Sequence, residues 1–462
     1  MVKSQHLSEG QPGSSADRAD LILRPFRTFA RLEAAGGILI IVSAVAALIW
    51  ANSPWSHTYA NLWEKTYLSL QLGNYSLSMS ILHWINDLFM AVFFLLVGLE
   101  IKREILVGEL ASVKKAALPI AAAIGGMLVP AAIFAAINAG QPTLRGWGIP
   151  MATDIAFALG VLMLLGGKTP VSLKVFLASL AIVDDIGALL VIAMFYTEQL
   201  RPGYLLAACG ILALLVLMNW LGSRSVPPYL LIGGVLWFLV FSSGVHATIA
   251  GVLLAMTIPA RSKMKGEQFL KIGRQSLDMF EQEMAEGDDR ITANAKLIGA
   301  VFSIRRVSRN VATPLQRVEH ALHPWVVFSI VPMFALANAG VSLSGNSGEL
   351  VLSPVTLGVV LGLVLGKPIG IVLFCWLSVS AGIATLPSGV TWRHIFGVAC
   401  LAGIGFTMSL FIAQLSFSDT AFMEPAKLGI LMASLFSGFI GLLILWHVQH
   451  KGASGLPSSN TH

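Results

Sequence analysis

Four ionisable residues fall inside long apolar stretches of this sequence: Asp154, the adjacent Asp184 and Asp185, and Lys367. A charge near the centre of a bilayer costs roughly 2.5–3.5 kcal/mol or more, so each is a candidate for function. In Ala181-Ile182-Val183-Asp184-Asp185-Ile186-Gly187 the two carboxylates stand about 100° apart around a helix. One can face a cavity while the other meets a neighbouring helix, and they need not do the same job. Two carboxylates in dry surroundings oppose each other's ionisation. A protonated carboxyl has lost the charge and the lone pair that a hard cation requires, and a bound cation repels the proton in return. The chemistry expected is therefore competition between sodium and protons for one set of oxygens. If only the loaded forms cross between inward-open and outward-open states, exchange is obligatory. Lys367, in Leu365-Gly366-Lys367-Pro368-Ile369-Gly370, is the only cation assigned to the spans, and is expected to pair with an aspartate when no ion is bound. Thr153-Asp154 sits where interrupted helix ends expose partial charge. Asp154 and Lys367 either neutralise those ends or touch the ion.

The elements that must position these groups are membrane helices. Of 462 residues 56% are apolar and 12% charged, a balance foreign to a soluble domain. Twelve apolar runs long enough to span are read at about 34–52, 81–100, 117–138, 149–167, 172–197, 204–222, 228–243, 245–258, 324–341, 354–379, 394–416 and 425–447. The fold expected is an all-α polytopic membrane protein. A polar N-terminal tail (1–33), a transmembrane domain (34–448) and a C-terminal tail (449–462) make up the chain, and Leu23, Phe26, Phe29 and Leu32 among arginines in the first tail fit a surface-lying helix. Runs four and eleven are interrupted, by Gly148-Ile149-Pro150 with Ala152-Thr153-Asp154 and by Gly403-Ile404-Gly405. Interruptions are tolerated where they line a cavity or are buried in protein. Each is the middle span of a three-span unit, spans three to five and ten to twelve, entering from opposite sides, which is the pattern of an inverted repeat.

Lysine and arginine alternate sharply between connections: 25 fall on the tails and even-numbered connections against 4 on the odd-numbered ones. This places both termini in the cytoplasm. Basic residues follow membrane topology and form no base-reading motif, so the net charge of +6 does not imply nucleic acid. Cys209, Cys375 and Cys400 lie in apolar runs without metal-like spacing, and neither disulfide, cofactor nor resident metal is expected. Residues 68–79 alternate with period two around Gly73-Asn74, predicting an external β-hairpin that pairs with a second subunit or lies on its own. The long connection 260–318 carries eleven basic residues and reads as a cytoplasmic insertion.

Further titratable groups lie at span ends. Asp87 and Glu100 flank the second run, with Asp87 a candidate for a cation funnel; His246 sits near the external end of the eighth; Glu319, His320 and His323 precede the ninth. For Asp87 and Glu100 snorkelling or a solvated contact is the ordinary reading; His246 and the Glu319, His320 and His323 cluster are candidate pH-sensitive groups or ordinary packing and interfacial residues.

Over roughly residues 25–448 the motifs resemble the NhaA-type sodium/proton antiporters of bacterial inner membranes. The resemblance rests on Trp84-Ile85-Asn86-Asp87, Val97-Gly98-Leu99-Glu100, Ala152-Thr153-Asp154-Ile155-Ala156-Phe157-Ala158, Val183-Asp184-Asp185, Ser243-Gly244-Val245-His246-Ala247-Thr248, Leu322-His323-Pro324-Trp325, Ala337-Asn338-Ala339-Gly340, Gly366-Lys367-Pro368 and Gly403-Ile404-Gly405-Phe406-Thr407-Met408-Ser409. That family is itself a known example of inverted-repeat architecture, so the repeat reading is not independent of the resemblance. The resemblance implies Asp185 as the main sodium and proton carboxylate, Asp184 as its partner, and Lys367 pairing with Asp184 in the proton-loaded state. It implies that Thr153 and Asp154 support a crossing of the two broken helices. It further implies pH regulation through Glu100, Glu104, His246, Glu319, His320 and His323, electrogenic exchange of more protons than Na+ per cycle, acceptance of Li+, and a homodimer formed through the external hairpin. The 260–318 connection is longer than in the best-studied members.

A sodium-coupled symporter or a channel is the alternative reading; few uncharged polar side chains flank the aspartates, which favours a bare ion. An intramembrane aspartyl protease needs carboxylates facing each other from separate helices, no catalytic residue is expected, and no phosphate-cradling loop points to an ATP-driven pump.

Overall fold

Two short backbone breaks, at 152–154 and 403–405, organise the fold. The computed structural model describes residues 35–453 apart from 73–74, 167–168, 198–199, 263, 265, 286–294 and 343–346. The expected surface helix of the N-terminal tail, the hairpin turn pair and most of the C-terminal tail lie outside the described residues.

The chain runs through α1 (Ala35–Ala51), β1 (Tyr67–Leu72), β2 (Tyr75–Ser80), α2 (Ile81–Val107), α3 (Val113–Ile137), a 3-10 segment (Pro142–Met151) and α4 (Ile155–Leu164). It continues through α5 (Val171–Phe195), α6 (Pro202–Trp220), α7 (Val226–Ser243), α8 (Thr248–Thr257), α9 (Gly266–Ala285), α10 (Ala295–Val311) and α11 (Pro314–Asn338). Then come α12 (Pro354–Ser380), α13 (Trp392–Ala402), α14 (Phe406–Ser416) and α15 (Thr420–His450). Among the described residues 8 helices are long and apolar enough to cross a membrane, or 10 when each bent pair counts as one span. The bent pairs are Pro142–Met151 with α4, at 44°, and α13 with α14, at 45°. Two of the twelve expected runs therefore come out shorter: α1, and α8 with only 10 residues. Lys102 closes α8 by donating to the carbonyls of Ala255, Met256 and Ile258, which a helix end otherwise leaves unsatisfied. Lys174 falls in the first turn of α5, so Lys367 is not the only lysine in an apolar helix; it is the only fully buried one among the described residues.

Helix starts follow local chemistry. Proline opens α6 and α11, where its missing N–H would have been unsatisfied anyway, and Thr313 with Gln316 forms a capping box at α11. Gly244 ends α7 at φ 86°, a conformation that favours glycine. The strands pair antiparallel with Leu70 opposite Leu77, Ser69 Oγ donates to Ser78 Oγ at 2.8 Å, and Trp84 Nε1 donates to the carbonyl of Leu68, tying the hairpin to its own chain.

The helices sort into two bundles. In one, α3 packs along α12, with α5, the two bent pairs and α15 around them. In the other, α2 packs on α8, with α6, α7 and α11 around an apolar core of their own that includes Leu99, Leu236 and Leu254. Gly125 of α3 and Gly370 of α12 meet backbone to backbone, and a Cβ on either would strike the other's carbonyl oxygen. A π-turn at Gly362–Gly366 inserts an extra residue into α12 immediately before Lys367 and so redirects that side chain. Helices α9 and α10, in the expected insertion, pack on each other, with Ser276 Oγ donating to Ser303 Oγ.

Candidate functional site, an aspartate pair beside a helix crossing

The two breaks meet. Asp154 N–H donates to the carbonyl of Ile404 at 2.7 Å, and Ser409 Oγ donates to the carbonyl of Ile149 at 2.8 Å. Asp154 sits at the N-cap of α4, where its Oδ1 accepts from Phe157 N–H at 3.0 Å. Its Oδ2 accepts from the backbone N–H of Thr407 at 3.1 Å and from the Thr407 hydroxyl. One carboxylate thus serves the N-terminal ends of both α4 and α14, where unpaired N–H groups carry partial positive charge.

Asp184 and Asp185 sit mid-way along α5, 1% and 4% exposed. Asp184 is held from two sides. Lys367, 0% exposed, reaches from α12 to form an ion pair with Asp184 Oδ2. Thr153 Oγ1, in the first break, lies 2.6 Å from the same oxygen and 2.8 Å from the carbonyl of Ala402, the last residue of α13. A hydroxyl has one proton, so with Asp184 ionised Thr153 satisfies one of these acceptors at a time. The pair and the crossing are therefore one network.

Oδ1 of Asp184 and Oδ1 of Asp185 are buried without a hydrogen-bond partner. An ionised oxygen so placed is costly, and either a proton on it or a cation against it relieves the cost. Asp184, Glu100, Asp154 and Lys367 all lie near enough to Asp185 to act on it electrostatically. The donor set of carboxylates, a threonine hydroxyl and break carbonyls is all oxygen, which suits hard cations rather than zinc or copper. Among the described residues no group of three or more His, Cys, Asp or Glu is arranged to hold a metal.

The remaining sequence candidates are dispersed. Glu319 is buried and ion-paired with Arg103; Glu104 accepts from Glu109 N–H at 3.0 Å and lies 3.6 Å from Arg103. His323 is buried and His320 exposed on the same helix. His246 lies just before α8, at the other end of that helix from Lys102, half-buried, with Nδ1 3.0 Å from Thr248 Oγ1 and its ring edge-on to Phe411. Asp87 is half-buried at the hairpin end of α2, its carbonyl accepting from Trp237 Nε1.

Residues 27–445 match the family model described as Na+/H+ antiporter 1. The chain belongs to that antiporter family. It is 52% identical over 434 residues to the Na(+)/H(+) antiporter NhaA of Oleidesulfovibrio alaskensis, covering 94% of this chain and 96% of the relative. It is 49% identical to NhaA of Koribacter versatilis, covering 96% of each, and 49% identical to NhaA 2 of Syntrophotalea carbinolica, covering 94% of this chain and 99% of the relative. In this antiporter-family chain, sequence reasoning did not single out Thr407 as a partner of Asp154 or Arg103 as a partner of Glu319. Thr407 had a signal, since it follows the Gly403-Ile404-Gly405 break. Arg103 had none, because its partner is 216 residues away.

Proposed function

We propose that the protein is a secondary transporter of the bacterial inner membrane, exchanging cytoplasmic Na+, or Li+, for external H+. Asp185 is the main ion and proton carboxylate and Asp184 its partner. The observation that carries this reading is the neighbouring pair itself: two buried carboxylates, one held by Lys367 and Thr153, each with an oxygen that has no hydrogen-bond partner. Protons and a cation are alternative occupants of those oxygens. Lys367 supplies the countercharge to Asp184, and a cation entering the site competes with the ammonium as well as with the proton. Asp154 and Thr153 hold the crossing that brings the pair within reach of both half-helix ends.

The two bent helix pairs, each the middle of its three-span unit, support twelve spans in an inverted repeat, with α1 and α8 as the two short members. The lysine and arginine distribution supports cytoplasmic termini, with the hairpin external and the 260–318 connection cytoplasmic. The family resemblance supports electrogenic, pH-regulated exchange and a homodimer formed through the hairpin, whose Tyr67 and Leu68 are exposed. Glu100, Glu104, Glu319, His320 and His323 are then pH-responsive groups towards the cytoplasm, His246 one towards the exterior, and Asp87 part of the external cation funnel.

The test is sodium binding to purified protein across a pH series with proton release measured in parallel. Below the pH at which the site is half protonated, the apparent affinity for Na+ falls by about tenfold per pH unit for each competing proton. Each Na+ bound releases protons. Na+ binding that is indifferent to pH and releases no proton overturns the reading.

A further inference from the structure

We propose that the amides of Asn86, Asn338 and Gln414, the middle one buried and the other two half-buried, form a latch between the two bundles, closed in this structure, that opens on the hairpin side during each transport cycle. Asn338, 0% exposed, ends α11. Its Nδ2 donates to Asn86 Oδ1 in α2 at 2.9 Å and to the carbonyl of Phe334 in its own helix at 3.0 Å. Its Oδ1 accepts from Gln414 Nε2 in α14 at 2.6 Å. Both Asn86 and Asn338 belong to the α2/α11 bundle, and Gln414 belongs to the bundle that carries Asp184 and Asp185.

Asn338 cannot follow Gln414 without breaking its own anchors. Tyr59 pins the chain on both sides of it: its hydroxyl lies 2.9 Å from the carbonyls of Leu336 and Ala337 and accepts from Gly340 N–H at 3.2 Å. The side chain is therefore a fixed acceptor on one body, and Gln414 is the donor on the other. One turn away on α14, Phe411 packs its ring against Phe94, Phe334 and His246, so the amide contact is the polar part of an otherwise aromatic seam. A hydrogen bond is directional and is lost over about an ångström of movement, whereas an aromatic seam yields gradually. The amide therefore makes the seam two-state.

This proposal rests on the exchange reading, but its first test does not. In a chain whose three native cysteines are alanine, Ala337→Cys is labelled from the hairpin side with a membrane-impermeant maleimide, with and without Gln414→Met, a change that keeps length and removes the donor. Labelling is expected to quicken by about three- to tenfold, the population shift that loss of one hydrogen bond produces. In the second arm, Asn338→Cys and Gln414→Cys are bridged by a short reducible bifunctional thiol reagent in vesicles. Bridging is expected to stop exchange and reduction to restore it, while the unbridged double variant still exchanges. Equal labelling rates, or a bridged protein that exchanges as fast as the unbridged one, overturns the latch. Absence of exchange in the parent protein, with the labelling difference intact, overturns the transport reading and leaves the latch standing.

Discussion

Asp184 and Asp185 are the same residue type, one position apart, on the same buried turn of α5, yet their surroundings have little in common. Asp184 is held by an ammonium from α12 and a hydroxyl from the first break. Asp185 receives no such hydrogen bond to Oδ1. The 100° turn between consecutive helical residues is enough to give the two carboxylates different neighbours. The contrast teaches that neighbours on one turn can differ in kind: one member is fixed by a countercharge and tied to the first backbone break, and the other keeps a buried oxygen without a hydrogen-bond partner. Neither setting follows from residue type; both follow from what the neighbouring helices offer.

Substitutions that remove one side of this contrast test it. Asp185→Asn keeps the shape and removes the competing charge, so Na+/H+ exchange in everted vesicles should fall to that of vesicles lacking the protein while the protein remains folded; retained exchange would exclude Asp185 as the carrier. Asp184→Asn leaves Lys367 buried without its partner, and breaking a buried ion pair costs about 3–5 kcal/mol, so impaired coupling should come with a lowered unfolding temperature. Unchanged coupling and stability would place Asp184 outside the site. For Lys367, the Arg and Ala variants are compared with the parent by the membrane potential that transport generates. The two variants should move charge differently, because only one keeps a cation beside Asp184, and equal charge movement in all three would leave the lysine a structural role alone. Thr153→Val removes one hydroxyl from the network at a cost of about 1 kcal/mol, seen as a several-fold weaker apparent Na+ affinity with little change in folding. An unaltered affinity would detach the crossing from Asp184.

Much of this was legible from the sequence because a membrane makes charge conspicuous. Asp154, Asp184, Asp185 and Lys367 stood out against apolar runs, and the breaks announced themselves through Gly148, Pro150, Gly403 and Gly405. The hairpin was legible from its two-residue alternation around Gly73-Asn74, and the structure adds the register, with Leu70 opposite Leu77. What escaped were features set by distant partners. Hydropathy counted a full eighth span where α8 has 10 residues, since the lysine that closes it comes from α2. Which aspartate meets Lys367, 183 residues away, residue types alone left open; the family resemblance pointed to Asp184, and the structure pairs the two. Asn338 and Gln414 are uncharged amides in apolar surroundings, and nothing in composition distinguishes them from polar residues at a helix end.

The glycine contact between α3 and α12 bears on how such a protein is tuned. Gly370 lies one turn beyond Lys367, and a Cβ added at Gly126, the neighbour of Gly125, would sit 3.6 Å from the lysine's Cδ. The close approach of those two backbones therefore lies directly beside the lysine's stem. A single methyl at that contact would push on the backbone one turn from the lysine without altering any charge, so the Lys367–Asp184 pair is open to adjustment by steric means alone, from two residues that carry no side chain.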